Sequence, residues 1–90
     1  MKNIKYTNHA QLRCQKRGIP LPVVEFIVDY GKSLNTHGNK KYFIPKKMMN
    51  SLKYDHKDFL KTYDKFIKNT AVVCNDGLVI TAMKITKKIY

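Results

Sequence analysis

Acidic residues and arginines are both scarce in this chain. Six Asp and Glu stand against eighteen Lys and Arg in 90 residues, a formal net charge of +12. Six scattered carboxylates do not supply the paired acids that two-metal nuclease chemistry uses. No apolar run approaches the roughly 20 residues that span a bilayer, so no membrane segment is expected. Met1 to Tyr6 contain no apolar h-region, and no secretory signal is expected either. Cys14 and Cys74 form no CxxC or Cys/His zinc spacing and read as reduced thiols of a cytoplasmic protein. His37 and His56 have no carboxylate or cysteine at ligand spacing, so no metal and no cofactor is expected. The chain also lacks a P-loop, a Ser/His/Asp arrangement, an internal repeat and a low-complexity linker.

Hydrophobic residues make up 43% of the chain, enough for one core and too many for a disordered tail. The expectation is a single domain over residues 1–90. An excess of positive charge in a compact fold points to a polyanionic partner: nucleic acid, an anionic surface or an acidic protein. The charge is uneven. Residues 32–69 carry ten lysines against three acids, net +7. Every basic residue in that stretch is lysine, a hydrated point charge on a flexible stem. The two arginines, Arg13 and Arg17, lie elsewhere, and only arginine offers a planar fork for phosphate oxygens.

The spacing predicts a first helix over about 8–17, capped by Thr7 or Asn8 and ended by Gly18. On it His9, Arg13 and Arg17 form an i, i+4, i+8 stripe within about 80° of arc, beside Ala10 and Cys14. A second helix runs from Pro22 to Tyr30 and stops at Gly31; its Val23, Val24, Phe26, Ile27 and Tyr30 share one side. Ser33 to Thr36 and Lys41 to Ile44 read as a hairpin, with Gly38-Asn39 supplying the positive-φ residues. From Lys46 to Lys68 a helical period runs through Met49, Leu52, His56, Phe59, Tyr63 and Phe66, with a break near Asp55-His56. Thr70 to Cys74 and Leu78 to Ile85 are joined through Asn75-Asp76-Gly77 as a hairpin expected to be central and covered on both faces. The element order is α-α-β-β-α-β-β: an α+β domain with helices packed on an antiparallel sheet.

The string His9-Ala10-x-x-Arg13-x-x-x-Arg17-Gly18-Ile19, followed by a short amphipathic helix and an Asp-Gly hairpin, resembles small bacterial toxins of the RelE/BrnT-like type. More closely, it looks like their relatives that begin with a His-Ala…Arg…Arg-Gly-Ile helix. The resemblance covers most of residues 7–31 and 70–85. It implies a microbial-RNase-like sheet domain, a metal-independent ribonuclease activity, and an acidic antitoxin that covers the site.

Metal-free RNA cleavage needs a base for the 2′-hydroxyl, an acid for the leaving 5′-oxygen and cations for the phosphorane. His9 fits either proton role, and Arg13 and Arg17 fit a phosphate clamp. The plainer alternative is a capping histidine and two arginines paired with Glu25 and Asp29. Lys84, a charge in an apolar strand, is a candidate electrostatic contributor; its alternative is a solvated strand end. Thr81 has the opposite parity to Lys84 and falls on the other face. Lys40, Lys41, Tyr42, Lys46, Lys47, Lys53 and Lys57 are candidates for tracking a nucleic-acid backbone; Tyr42 reads alternatively as packing. The leading function is thus a toxin-like endoribonuclease of a type II toxin–antitoxin pair, with RNA and an acidic antitoxin as partners. The rivals are a non-catalytic nucleic-acid-binding module and a protein that only binds an acidic partner.

Overall fold

The structure is a computed structural model that describes residues 4–85. Lys87 and Lys88, part of the basic C-terminal end, lie outside the described residues. The elements run β1 (Lys5–Tyr6), α1 (Asn8–Arg17), α2 (Leu21–Tyr30), β2 (Lys32–Thr36), β3 (Asn39–Phe43), α3 (Lys46–Asp55), α4 (Lys57–Lys68), β4 (Thr70–Asn75) and β5 (Leu78–Lys84). They form an α+β domain around a five-stranded sheet of order β1-β5-β4-β3-β2.

The sheet is not wholly antiparallel. Four strands pair antiparallel, but β1 joins β5 in parallel, Lys5 opposite Leu78 and Tyr6 opposite Val79. Two residues carry no readable alternation, so this strand has no signature of its own. Both hairpins turn through a pair of positive-φ residues, as a type I′ connection requires. They are Asp76-Gly77 (φ 52 and 83) and His37-Gly38 (φ 49 and 82), with Asn39 already in its strand rather than in the turn.

The helix breaks at His56, whose backbone (φ −128, ψ 46) leaves the helical region between α3 and α4. The break resets the phase of the apolar stripe. Leu60 and Ile67 are the fully buried residues of α4, Phe59 and Tyr63 flank the core, and Phe66 remains 37% exposed. His56 lies against the rings of Phe26 and Tyr30, and Phe59 stacks on Phe26 at 4.6 Å. The second helix, α2, is buried on more than one side, taking Val28 into the core along with Val23, Val24, Phe26 and Ile27. Gly31 follows it at a close approach: a Cβ there would sit 2.5 Å from the Ile27 carbonyl oxygen and 2.6 Å from that of Phe43.

One cluster joins Ala10 and Cys14 of α1, α2, Leu60 and Ile67 of α4, and the sheet residues Val72, Cys74, Val79 and Ala82. A bulge makes the last pair possible. Val73 pairs with Thr81 and Cys74 with Val79, leaving Ile80 extra, so Val79 and Ala82 face the same way although three residues apart. The strands are not covered equally on both faces: Val73, Ile80, Thr81 and Met83 are half-buried and lie outside the cluster.

Candidate functional site

The first helix is well specified at both ends. The Thr7 hydroxyl accepts the Ala10 N–H at 3.0 Å, and Gly18 (φ 63) closes the helix with Ile19 N–H donating to the Cys14 carbonyl. Ala10 and Cys14, a helical turn apart and buried, fix which side of α1 meets the sheet. The 3.6-residue period then leaves His9, Arg13 and Arg17 along a neighbouring edge. His9 is exposed and both arginines are half-buried.

Two members of the stripe touch. Arg13 Nε donates to His9 Nε2 at 3.2 Å. Arginine has no lone pair to offer, so Nε2 is the acceptor and the imidazole in this arrangement carries its proton on Nδ1. Protonating Nε2 would remove the bond and set two cations side by side. An anion that drew the Arg13 guanidinium away would free the Nε2 lone pair.

The third member is tied to backbone. Arg17 Nη1 donates to the Ala82 carbonyl at 3.3 Å. Thr7 N–H donates to the Val79 carbonyl at 3.1 Å and its hydroxyl to Ile80 at 3.4 Å. Thr7 and Arg17 thus take up three carbonyls of β5, two of which, those of Ile80 and Ala82, lie beyond the residues that β1 pairs. Neither arginine pairs with Glu25 or Asp29; the ion pair among the described residues is Lys68 with Asp64, at 3.9 Å. A shallow groove of about 320 Å³ runs along this face, lined by His9, Leu12, Arg13, Lys16 and Arg17. Leu12 and Lys16 had no individual signal in the sequence; they fall here because they sit one turn from the stripe.

Lys84 is exposed at the end of β5, opposite Thr70. It stands two residues, about 7 Å, beyond Ala82 and therefore toward the Arg17 end of α1. His9, next to the Thr7 contacts with Val79 and Ile80, belongs to the other end. No bulge intervenes between Thr81 and Lys84, so they occupy opposite faces.

The lysine field lies apart from this groove. β3 is two strands from β5, about 10 Å. Lys40 and Lys41 are split between the two faces by strand parity, and Tyr42 packs against the core. Lys46 and Lys47 are exposed in the first turn of α3, which has no acidic residue. Lys53 and Lys57 share a groove of about 490 Å³ with Lys61, Leu60 and Asp64. Lys61 joins them because it is one helical turn from Lys57.

Beneath α1, the Tyr6 hydroxyl is buried with no hydrogen-bond partner. Burial and the nearby Glu25 carboxylate push its pKa up to about 12, and burial also raises that of the Cys14 thiol. Cys14 and Cys74 are both buried. Among the described residues no group of three or more His, Cys, Asp or Glu could hold a metal, and no helix is long and apolar enough to cross a membrane. Comparison with protein-family models, with curated proteins and with solved structures gave no match to the chain.

Proposed function

We propose that this chain is the toxin of a type II toxin–antitoxin pair, acting in the bacterial cytoplasm as a metal-independent endoribonuclease. The observation that carries the reading is the contact of Arg13 with His9 Nε2 on an exposed groove that also holds Arg17. A phosphodiester entering the groove attracts both guanidinium groups. Arg13 then exchanges its bond to His9 for one to a phosphate oxygen, leaving Nε2 free to accept a proton.

In the cleavage step the RNA 2′-oxygen attacks the adjacent phosphorus as its proton passes to His9. The bond from phosphorus to the 5′-oxygen breaks, giving a 2′,3′-cyclic phosphate and a 5′-hydroxyl whose proton comes from solvent. Arg13 and Arg17 offset the charge that builds on the phosphorane, and Lys84 contributes from the far end of β5. RNA flanking the scissile bond extends toward Lys40, Lys41, Lys46, Lys47, Lys53 and Lys57. The same field attracts an acidic antitoxin.

A second reading, a nucleic-acid-binding module without catalysis, is favoured by one fact. An Arg17 donor is already committed to the Ala82 carbonyl, as a purely structural arginine would be. The two readings separate when purified protein meets labelled single-stranded RNA and DNA in EDTA, alongside His9→Ala and Arg13→Ala. RNA cleavage abolished in both variants supports the nuclease. Salt-sensitive binding with the RNA left intact sinks it and supports the binding module. No affinity for either polymer favours a protein that binds an acidic partner alone.

A further inference from the structure

The sheet ends differently on its two sides. On the β5 side Thr7 and Arg17 occupy the carbonyls of Val79, Ile80 and Ala82. On the other side β2 is the last strand, and Lys32, Ser33, Leu34 and Asn35 are all exposed. Thr36 and Asn39 flank the His37-Gly38 turn, and the closing pair of a two-residue type I′ hairpin is hydrogen-bonded. Antiparallel alternation then directs the N–H and C=O of Ser33 and Asn35 away from β3. No other element among the described residues gives these groups a partner.

Such an edge is a template for another strand unless proline, a bulge or a row of charges blunts it. β2 has no proline and no bulge, and its one charge, Lys32, stands at its start. Leu34, 48% exposed, begins a row that continues through Lys41, Val73 and Thr81 on the half-open face of the sheet.

Charge selects the occupant. Residues 30–54 contain no acidic side chain, and Lys32, Lys40 and Lys41 surround the edge. Pairing β2 of one copy with β2 of another would bring the same lysines together on two chains of net charge +12. A nucleic-acid backbone has no N–H groups with which to continue the ladder. An extended peptide with carboxylates has both the ladder and the charge.

We propose that β2 receives an extended acidic segment of a partner protein as a sixth strand. Its apolar side chains continue the Leu34 row, its carboxylates project from the opposite face, which carries Lys40, and Lys32 and Lys41 add to the positive field along the edge. The inference rests on the acidic-partner half of the function proposed above and not on its catalytic half.

The test is amide exchange followed by NMR on the full chain, with a blocked hexapeptide alternating glutamate and valine as the probe. In peptide excess, exchange at Ser33 and Asn35 slows about tenfold or more, following the ratio of peptide to its Kd. The effect is absent with lysine in place of glutamate, and with a peptide N-methylated along its pairing edge. Ser33→Pro and Asn35→Pro each abolish it, because proline is tolerated where an edge N–H faces solvent but cannot donate to an added strand. Unchanged exchange at both residues in millimolar acidic peptide overturns the proposal, as does equal slowing by the lysine version. Slowing that grows with protein concentration alone assigns the edge to a second copy and overturns it too. Slowing by single-stranded RNA in place of the peptide does the same. Absence of RNA cleavage removes the nuclease reading and leaves the exchange result standing, so the two failures are distinguishable.

Discussion

Arg13 and Arg17 on α1 and the lysines of α3 and α4 carry the same charge, but the fold treats them differently. Each arginine is half-buried and held by a directional bond, Arg13 to His9 and Arg17 to the Ala82 carbonyl. The lysines Lys46, Lys47, Lys53, Lys57 and Lys61 are exposed and make no ion pair among the described residues. Lys46 and Lys47 even face the positive end of the α3 dipole, at a cost of roughly 0.3–1 kcal/mol each. Fixed cations define a geometry, whereas solvated ones define a field. Catalysis needs the first, and attraction of a polyanion needs only the second.

The largest expected effect tests the fixed end. His9→Ala lowers RNA cleavage by about 100-fold or more, the range for loss of a general base. Arg13→Lys keeps the charge and loses the planar fork, so cleavage falls while the salt dependence of binding stays nearly unchanged. Single-turnover rates and binding titrations on the same RNA separate these effects.

The lysine end gives the opposite pattern. Replacing Lys53, Lys57 and Lys61 together by Gln lowers the slope of log K against log salt by about 2 for single-stranded RNA. An unchanged slope would show that the field between α3 and α4 does not touch the polymer.

Arg17→Ala is smaller and structural in part. Losing its bond to the β5 edge costs about 1 kcal/mol of stability, read as a shift in the urea midpoint, with faster amide exchange in the residues around Ala82. If stability holds and cleavage falls, Arg17 acts on the substrate alone.

The smallest effect concerns the core under α1. Tyr6 ionises near 10 when unfolded and at about 12 when folded. Its contribution is therefore fully present below pH 10 and lost as pH rises through about 12. Tyr6→Phe removes an unpartnered hydroxyl, so stability at neutral pH is equal or slightly higher, and the decline between those two pH values becomes shallower.

Much of α1 was readable because its signals are local. Thr7 accepts from a residue three positions on, Gly18 adopts the left-handed conformation, and the His9, Arg13 and Arg17 spacing needs only the helical period. The Asp76-Gly77 hairpin was legible for the same reason. β1 was not, since Lys5 and Tyr6 become a strand only by pairing with Leu78 and Val79. The bulge at Ile80 was equally hidden, because it follows from matching β5 to β4 and not from either strand alone. The choice of His37-Gly38 over Gly38-Asn39 as the turn was set by cross-strand register. The lysine run looked like one surface along the chain, yet strand parity sends Lys40 and Lys41 to opposite faces, and Tyr42 goes to the core.

By itself the sequence determined the excess of cations, the concentration of arginine on one helix and the alignment of His9 with both. These follow from composition and from a 3.6-residue repeat that needs no tertiary contact. The tertiary structure decided which of those groups are held. Arg17 meets Ala82 across 65 residues of chain, and the edge that it and Thr7 close exists only because β1 is too short to cover β5. The bare edge at β2 is the same kind of fact. Hydrogen-bonding groups on a strand are satisfied or left open by what lies beside the strand, and only the assembled sheet specifies that neighbour.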